Sequence, residues 1–133
     1  MDDVIINKSA IIERCIKRIK DVYNGHEAEL QTNYDIQDIV SINILRACEA
    51  ALDIGFHLVR LKKLGVPQSS KEVFELLADA DIIDRDLATN LKHMVGFRNI
   101  ATHEYQKVEV KVIAAIIKNH LADLNKFCQI LLL

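Results

Sequence analysis

The fold class is indicated most clearly by residues 36–67, whose sequence is IQDIVSINILRACEAALDIGFHLVRLKKLGVP. Their apolar residues recur at spacings of three and four, which places them on one face of a helix with 3.6 residues per turn. These residues are Ile36, Ile39, Val40, Ile44, Ala47, Ala51, Ile54, Leu58 and Leu61. Gly65 and Pro67 then follow, and neither residue continues a helix without cost. The pattern predicts a long amphipathic helix that ends before the only proline of the chain.

The remaining segments show the same helical spacing. A first helix is predicted over 4–24, and a short helix opens at Ser69 with the capping-box pattern that Glu72 completes three residues later. A fourth helix, capped by Asp84, is expected to reach Gly96, and a last helix is expected over 108–131. The predicted fold class is all-α, an antiparallel bundle of four long helices plus one short helix.

Composition is consistent with this class and limits the choice of partners. A chain of 133 residues forms one domain, 1–133, and its apolar half is mostly aliphatic. With 17 basic and 19 acidic residues the net charge is −2, so no global field attracts nucleic acid. RNA contact would need a local basic patch, although the candidate clusters are also typical of solvated helix faces. These clusters are Lys17, Arg18 and Lys20, and Arg60, Lys62 and Lys63.

The cysteines and the N-terminus bear on location. Cys15, Cys48 and Cys128 lie far apart in apolar helical stretches, so we expect reduced core residues rather than metal ligands. Acidic residues follow Met1 where a secretion signal would place basic and then apolar ones. No apolar run approaches the roughly 20 residues that a membrane span needs. A cytoplasmic location without membrane contact is predicted.

Chemistry is concentrated in the segment 98–105, Arg-Asn-Ile-Ala-Thr-His-Glu-Tyr. An arginine can hold a phosphate through two parallel N–H donors, and a histidine that titrates near neutrality can move a proton in either direction. Together, Arg98 and His103 indicate phosphodiester chemistry. Asn99 shares a helix face with His103 and is expected to orient it.

Helix geometry constrains how these groups could meet. Arg98 and His103 are five residues apart, which is about 140° on an unbroken helix. They converge only through a bend, the reach of the arginine, or a second subunit. A local break near positions 100–105 would also bring Tyr105 to them.

The spacing Arg98, His103, Tyr105 resembles the Arg-x4-His-x-Tyr motif of the HEPN family, in particular the toxin half of HEPN/MNT toxin–antitoxin modules. The resemblance implies a metal-independent endoribonuclease that acts as a homodimer and needs no cofactor. Arg98 and His103 would be its catalytic residues. It also implies that Tyr105 accepts AMP from a cognate nucleotidyltransferase antitoxin, which neutralises the toxin.

Other residues and other functions remain open at this point. Glu49 and Asp53 share a face of the second helix at a spacing of four residues, and they could line the cleft or simply form a solvated ion-pair face. Tyr105 could seal the bundle with its ring. The alternative function is a non-catalytic helical module that binds a nucleotide or a protein through the same cleft, because proteins that share a fold often differ in activity. No metal site is expected, since the histidines lack ligand spacing.

Overall fold

The computed structural model describes residues 2–103 and 109–132, and the side chains of these residues other than 102 and 103. Six α-helices make up most of the described chain, with one short 3-10 helix, Glu27–Glu29, between the first two. The α-helices are α1 (Asp3–Tyr23), α2 (Tyr34–Leu61), α3 (Ser70–Asp79), α4 (Arg85–His103), α5 (Val110–Asn119) and α6 (Leu121–Leu132). The described ranges contain no strand, and the all-α prediction is confirmed.

The two longest helices, α1 and α2, form an antiparallel pair. Two polar contacts show the direction of the pair. The Oδ2 atom of Asp2 lies 2.6 Å from the Nε2 atom of His57, and the Nζ atom of Lys8 lies 2.9 Å from the Oδ2 atom of Asp53. As the numbering rises along α1 it falls along α2, so the helices run in opposite directions. Asp2 also caps α1 by accepting from the amide of Val4 at 2.9 Å.

Capping side chains begin α3 and α4 where the sequence predicts. The hydroxyl of Ser69 accepts from the amide of Glu72 at 3.3 Å, and the carboxylate of Asp84 accepts from the amide of Leu87 at 2.7 Å. Each bond satisfies one of the amides that a helix N-terminus leaves without an intrahelical partner. Both predicted caps are therefore confirmed.

The core is one continuous cluster to which all six helices contribute. Its largest fully buried side chains include Phe74 of α3 and Phe127 of α6. Their rings pack edge to face, with the centroids 5.9 Å apart. The three cysteines lie in this core as free thiols, as predicted. Burial raises the pKa of the Cys48 thiol to about 12.

Two helix boundaries differ from the prediction. α4 does not end at Gly96 but continues to His103, because Phe97 and Ala101 bury their side chains beyond the glycine. That burial offsets the roughly 1 kcal/mol by which a glycine weakens a helix interior. The last helix is divided at His120 into α5 and α6, at a junction where Asn119 and His120 are both weak helix formers.

Within the described ranges, no helix combines the length and apolar character that crossing a membrane requires.

Candidate functional site

Arg98 lies on the buried side of α4. Leu87, Leu91 and Met94 precede it at helical spacing, Ala101 follows three residues later, and all four are buried. A guanidinium in such a row is partly desolvated, and the Arg98 side chain is only 29% exposed. A cation in this environment needs compensating polar contacts.

Two side chains provide such contacts. The Nε atom of Arg98 lies 3.5 Å from the Oε1 atom of Glu49 on α2. One terminal nitrogen of the same guanidinium donates to the Oδ1 atom of Asn99 at 3.0 Å. The ion pair with Glu49 places the guanidinium beside α2, and this group is able to bind a phosphate through two donors.

The two acidic residues of α2 have different partners. Glu49 contacts the motif through Arg98, whereas Asp53, one turn later, pairs with Lys8 of α1. Both carboxylates, together with Arg46, line a shallow cleft of about 280 Å³ between α1 and α2. Of the two residues that the sequence proposed as cleft-lining, Glu49 is thus the one in contact with the predicted phosphate-binding arginine.

The second half of the motif is only partly described. The backbone of α4 is helical through position 103, so positions 98 and 103 are about 140° apart around the helix axis. The predicted roles of the His103 imidazole, and of Asn99 towards it, concern a side chain outside the described set. Tyr105 also lies outside the described residues.

A second cleft lies on the other side of α4, against the start of α5. It has a volume of about 500 Å³ and is called here the α4–α5 cleft. Its apolar lining consists of Phe97, Ile100, Val112, Ala115 and Ile116. Its remaining lining residues are Gly96 and four that carry basic groups, Lys71, His93, Lys111 and His120. Among the residues that the structure describes, no carboxylate lines it.

A chain of side-chain contacts orients the imidazoles of this cleft. The Nδ1 atom of His120 bonds to Asp123 at 3.0 Å, and Asn90 donates to the other oxygen of that carboxylate at 3.3 Å. The rings of His93 and His120 pack edge to face, with their centroids 6.2 Å apart. Their orientation is therefore set by α4 and α6 together.

Sequence reasoning did not identify this cleft. Lys71 and Lys111 come from different helices, 40 residues apart in sequence, and nothing local marks either of them. Ile100 and Val112 were not marked by the sequence either, since aliphatic residues at helical spacing are expected in the core, whereas these two are 47% and 42% exposed.

The basic clusters noted in the sequence lie on the surface. All six residues are exposed: Lys17, Arg18, Lys20, Arg60, Lys62 and Lys63. Lys17 pairs with Asp21 one turn later, a contact typical of a solvated helix face. Arg60 and Lys63 line a separate cleft of about 580 Å³ at the end of α2. Neither cluster is adjacent to Arg98 in the described contacts.

Among the residues that the structure describes, no three or more histidine, cysteine, aspartate or glutamate residues form a group that could hold a metal ion.

The fold and the sequence are similar to those of known proteins. A protein family described as "Ribonuclease HepT-like" matches residues 12–131. The mRNA nuclease HepT of Shewanella oneidensis is 44% identical over 131 residues, which cover 98% of each protein.

Solved structures agree with the sequence relatives. One is a toxin–antitoxin crystal structure with AMP-PNP, with a TM-score of 0.93, 43% identity and 98% of each chain covered. Another is a tri-AMPylated HEPN toxin of Shewanella oneidensis in complex with an MNT antitoxin, with a TM-score of 0.92, 44% identity and the same coverage. The match includes the whole segment 98–105 and extends over nearly the entire chain. This protein is therefore a member of the HepT-like ribonuclease family.

Proposed function

We propose that this protein is the toxin of a toxin–antitoxin module, a metal-independent endoribonuclease silenced by AMP transfer from a cognate nucleotidyltransferase. The observation that carries the proposal is Arg98 on α4, which pairs with Glu49 and begins the Arg-x4-His-x-Tyr sequence motif, in a chain 44% identical to an mRNA nuclease. A merely structural arginine would not require the motif histidine five residues later. RNA, and mRNA in particular, is the proposed substrate.

The proposed reaction is an internal transesterification. A base removes the proton of the 2′-hydroxyl, the 2′-oxygen bonds to phosphorus, and the bond to the 5′-oxygen breaks as that oxygen receives a proton. His103 moves the protons, and Arg98 stabilises the negative charge that develops on the phosphoryl oxygens. Asn99 and Glu49 position these groups, while Asp53 supports the wall of the cleft through Lys8.

A homodimer completes the site. One chain provides one motif histidine, His103, but the reaction needs a base and an acid at the same time. Positions 98 and 103 also diverge by about 140° on α4, which disfavours a site built within one chain. A two-fold axis that brings two motifs to a shared cleft would supply both proton-transfer groups.

AMP transfer would silence this site directly. The phenol oxygen of Tyr105 attacks the α-phosphorus of ATP, pyrophosphate leaves, and the phenol proton is lost. The new phosphodiester carries a negative charge two residues from His103, where it competes with RNA for Arg98. The similarity to a tri-AMPylated toxin bound to its MNT antitoxin supports a nucleotidyltransferase as the partner.

The cleavage proposal is tested with purified protein and total RNA in excess EDTA. We expect cleavage to persist in EDTA, and each of Arg98→Ala and His103→Ala to lower the rate by about 100-fold or more, because each removes a transition-state contact. Lys17→Ala, an exposed cation paired with Asp21, serves as the control and should cleave normally. Loss of cleavage in EDTA that added Mg²⁺ restores would contradict the metal-independent mechanism.

The role of Glu49 is tested by comparing it with its neighbour. Glu49→Ala should lower kcat by about three- to tenfold, since it removes a partly exposed charge-assisted contact to Arg98. Asp53→Ala is the matched control, because it lies one turn away and pairs with Lys8. Cleavage by both variants and their thermal unfolding are measured. An equal loss in both, or a faster Glu49→Ala enzyme, would show that Glu49 does not position Arg98.

The shared site predicts dominant interference between subunits. Wild-type protein incubated with an excess of His103→Ala protein should lose more activity than dilution explains, since mixed dimers lack one of the two histidines. Samples assayed at once after mixing, before subunits exchange, provide the control. Activity that depends only on the amount of wild-type chain would indicate a site complete within one subunit.

The acceptor role of Tyr105 is tested with labelled ATP and the cognate nucleotidyltransferase. Tyr105→Phe lacks the hydroxyl oxygen, so it should take up no AMP while it still cleaves RNA. Tyr34→Phe, which alters a tyrosine that is 74% exposed on α2, should be labelled like the wild type. Label on the Tyr105→Phe protein would place the acceptor elsewhere.

A further inference from the structure

The α4–α5 cleft combines an apolar lining with cationic groups. Ile100 and Val112 line it and expose nearly half of their surface to solvent, an arrangement that has a cost in water unless a ligand covers these side chains. A volume of about 500 Å³ lies within the range of small-ligand sites. The flat face of a nucleobase can pack on such a surface without any requirement for a particular base.

The polar part of the cleft selects an anion. Lys71 of α3 and Lys111 of α5 both line it, and none of the described residues that line it carries a carboxylate. Asp123, the acidic partner of His120, accepts from both His120 and Asn90. The two ammonium groups are thus available to a phosphate at the edge of an apolar surface, which together is the chemistry of a nucleoside monophosphate unit.

The position of the cleft relates it to the motif. Ile100 belongs to the segment 98–105 and lies about 160° around α4 from Arg98. A ligand in the cleft therefore does not reach the arginine itself. It lies instead on the opposite side of the same final turns of α4, where a strand held at Arg98 could continue around the helix end.

We propose that the α4–α5 cleft binds a nucleotide of the RNA substrate that flanks the cleaved bond, with its base on Ile100 and Val112 and its phosphate at Lys71 and Lys111. This subsite rests on the proposed ribonuclease function and extends it. It would anchor the strand without reading its sequence, because the apolar surface and two flexible ammonium groups favour no particular base.

Gly96 offers a variant that fills the cleft without loosening the fold. Among the described residues, a β-carbon at this position would have only the Nζ atom of Lys71 within 4 Å, at 3.9 Å, so the first atom of a side chain meets no clash there. Replacing a helical glycine also favours the helix. Gly96→Leu should raise Tm while its side chain occupies the space of the base.

The test measures binding of a fluorescent single-stranded oligodeoxynucleotide, which cannot be cleaved because it lacks the 2′-hydroxyl, and of 5′-AMP. We expect Lys71→Ala and Lys111→Ala each to weaken oligonucleotide binding by about tenfold, as loss of a charge-assisted contact does. Gly96→Leu should weaken it at least as much. Lys118→Ala, two turns after Lys111 on the same helix and outside the cleft, should bind normally.

The outcomes separate this subsite from the cleavage proposal. Oligonucleotide binding that all three cleft variants retain at the Lys118→Ala level would overturn the subsite, even if Arg98→Ala still abolishes cleavage. Binding of 5′-AMP that the cleft variants lose, without any effect on the oligonucleotide, would overturn it too and indicate a site for free mononucleotide. Failure of wild-type protein to cleave RNA would refute the proposed function. The oligonucleotide binding measurement would still decide whether the cleft binds a nucleotide.

Discussion

The burial of one face of α4 is the constraint on which the rest of the site depends. Leu87, Leu91, Met94 and Ala101 pack into the core and fix the rotation of the helix about its axis. Arg98 is in the same row, so the packing that stabilises α4 also carries a cation towards α2. Glu49 then offsets the desolvation of that cation. A rotation of α4 that relieved the arginine would expose the leucines, and the aliphatic burial is the larger effect.

The same rotation gives α4 two functional sides. Its α2 side holds Arg98 beside Glu49, and its α5 side presents Gly96 and Ile100 to the α4–α5 cleft. A helix with side chains is about 10–12 Å across, so the two sides are separated by roughly the width of one helix. The proposed RNA path therefore bends around the end of α4 rather than following one groove of the bundle.

Local signals in the sequence were enough to predict most elements, and they failed where tertiary packing decided. Ser69 and Asp84 cap helices by contacts within three residues, so their roles were visible in one dimension. The end of α4 was placed at Gly96 because propensity alone favours a stop there, whereas burial of Phe97 carries the helix onward. Likewise, Arg98 could be identified from its motif, but its pairing with Glu49 rather than Asp53 depends on how α4 crosses α2. Lys71 and Lys111 had no local signal at all.

The charge balance explains why two separate contact points would matter to this protein. With a net charge of −2 the molecule does not attract RNA from a distance, and Glu49 partly neutralises the one arginine of the motif. An arginine held in this way is well oriented but contributes little to affinity, since part of its attraction is already used by a carboxylate. Affinity then has to come from groups that no acid opposes. The lysines of the α4–α5 cleft fit that requirement, because the described part of the surface that they line has no carboxylate and the ammonium groups lie on flexible stems. Orientation at Arg98 and retention at the cleft would thus be separate tasks, performed on opposite sides of one helix.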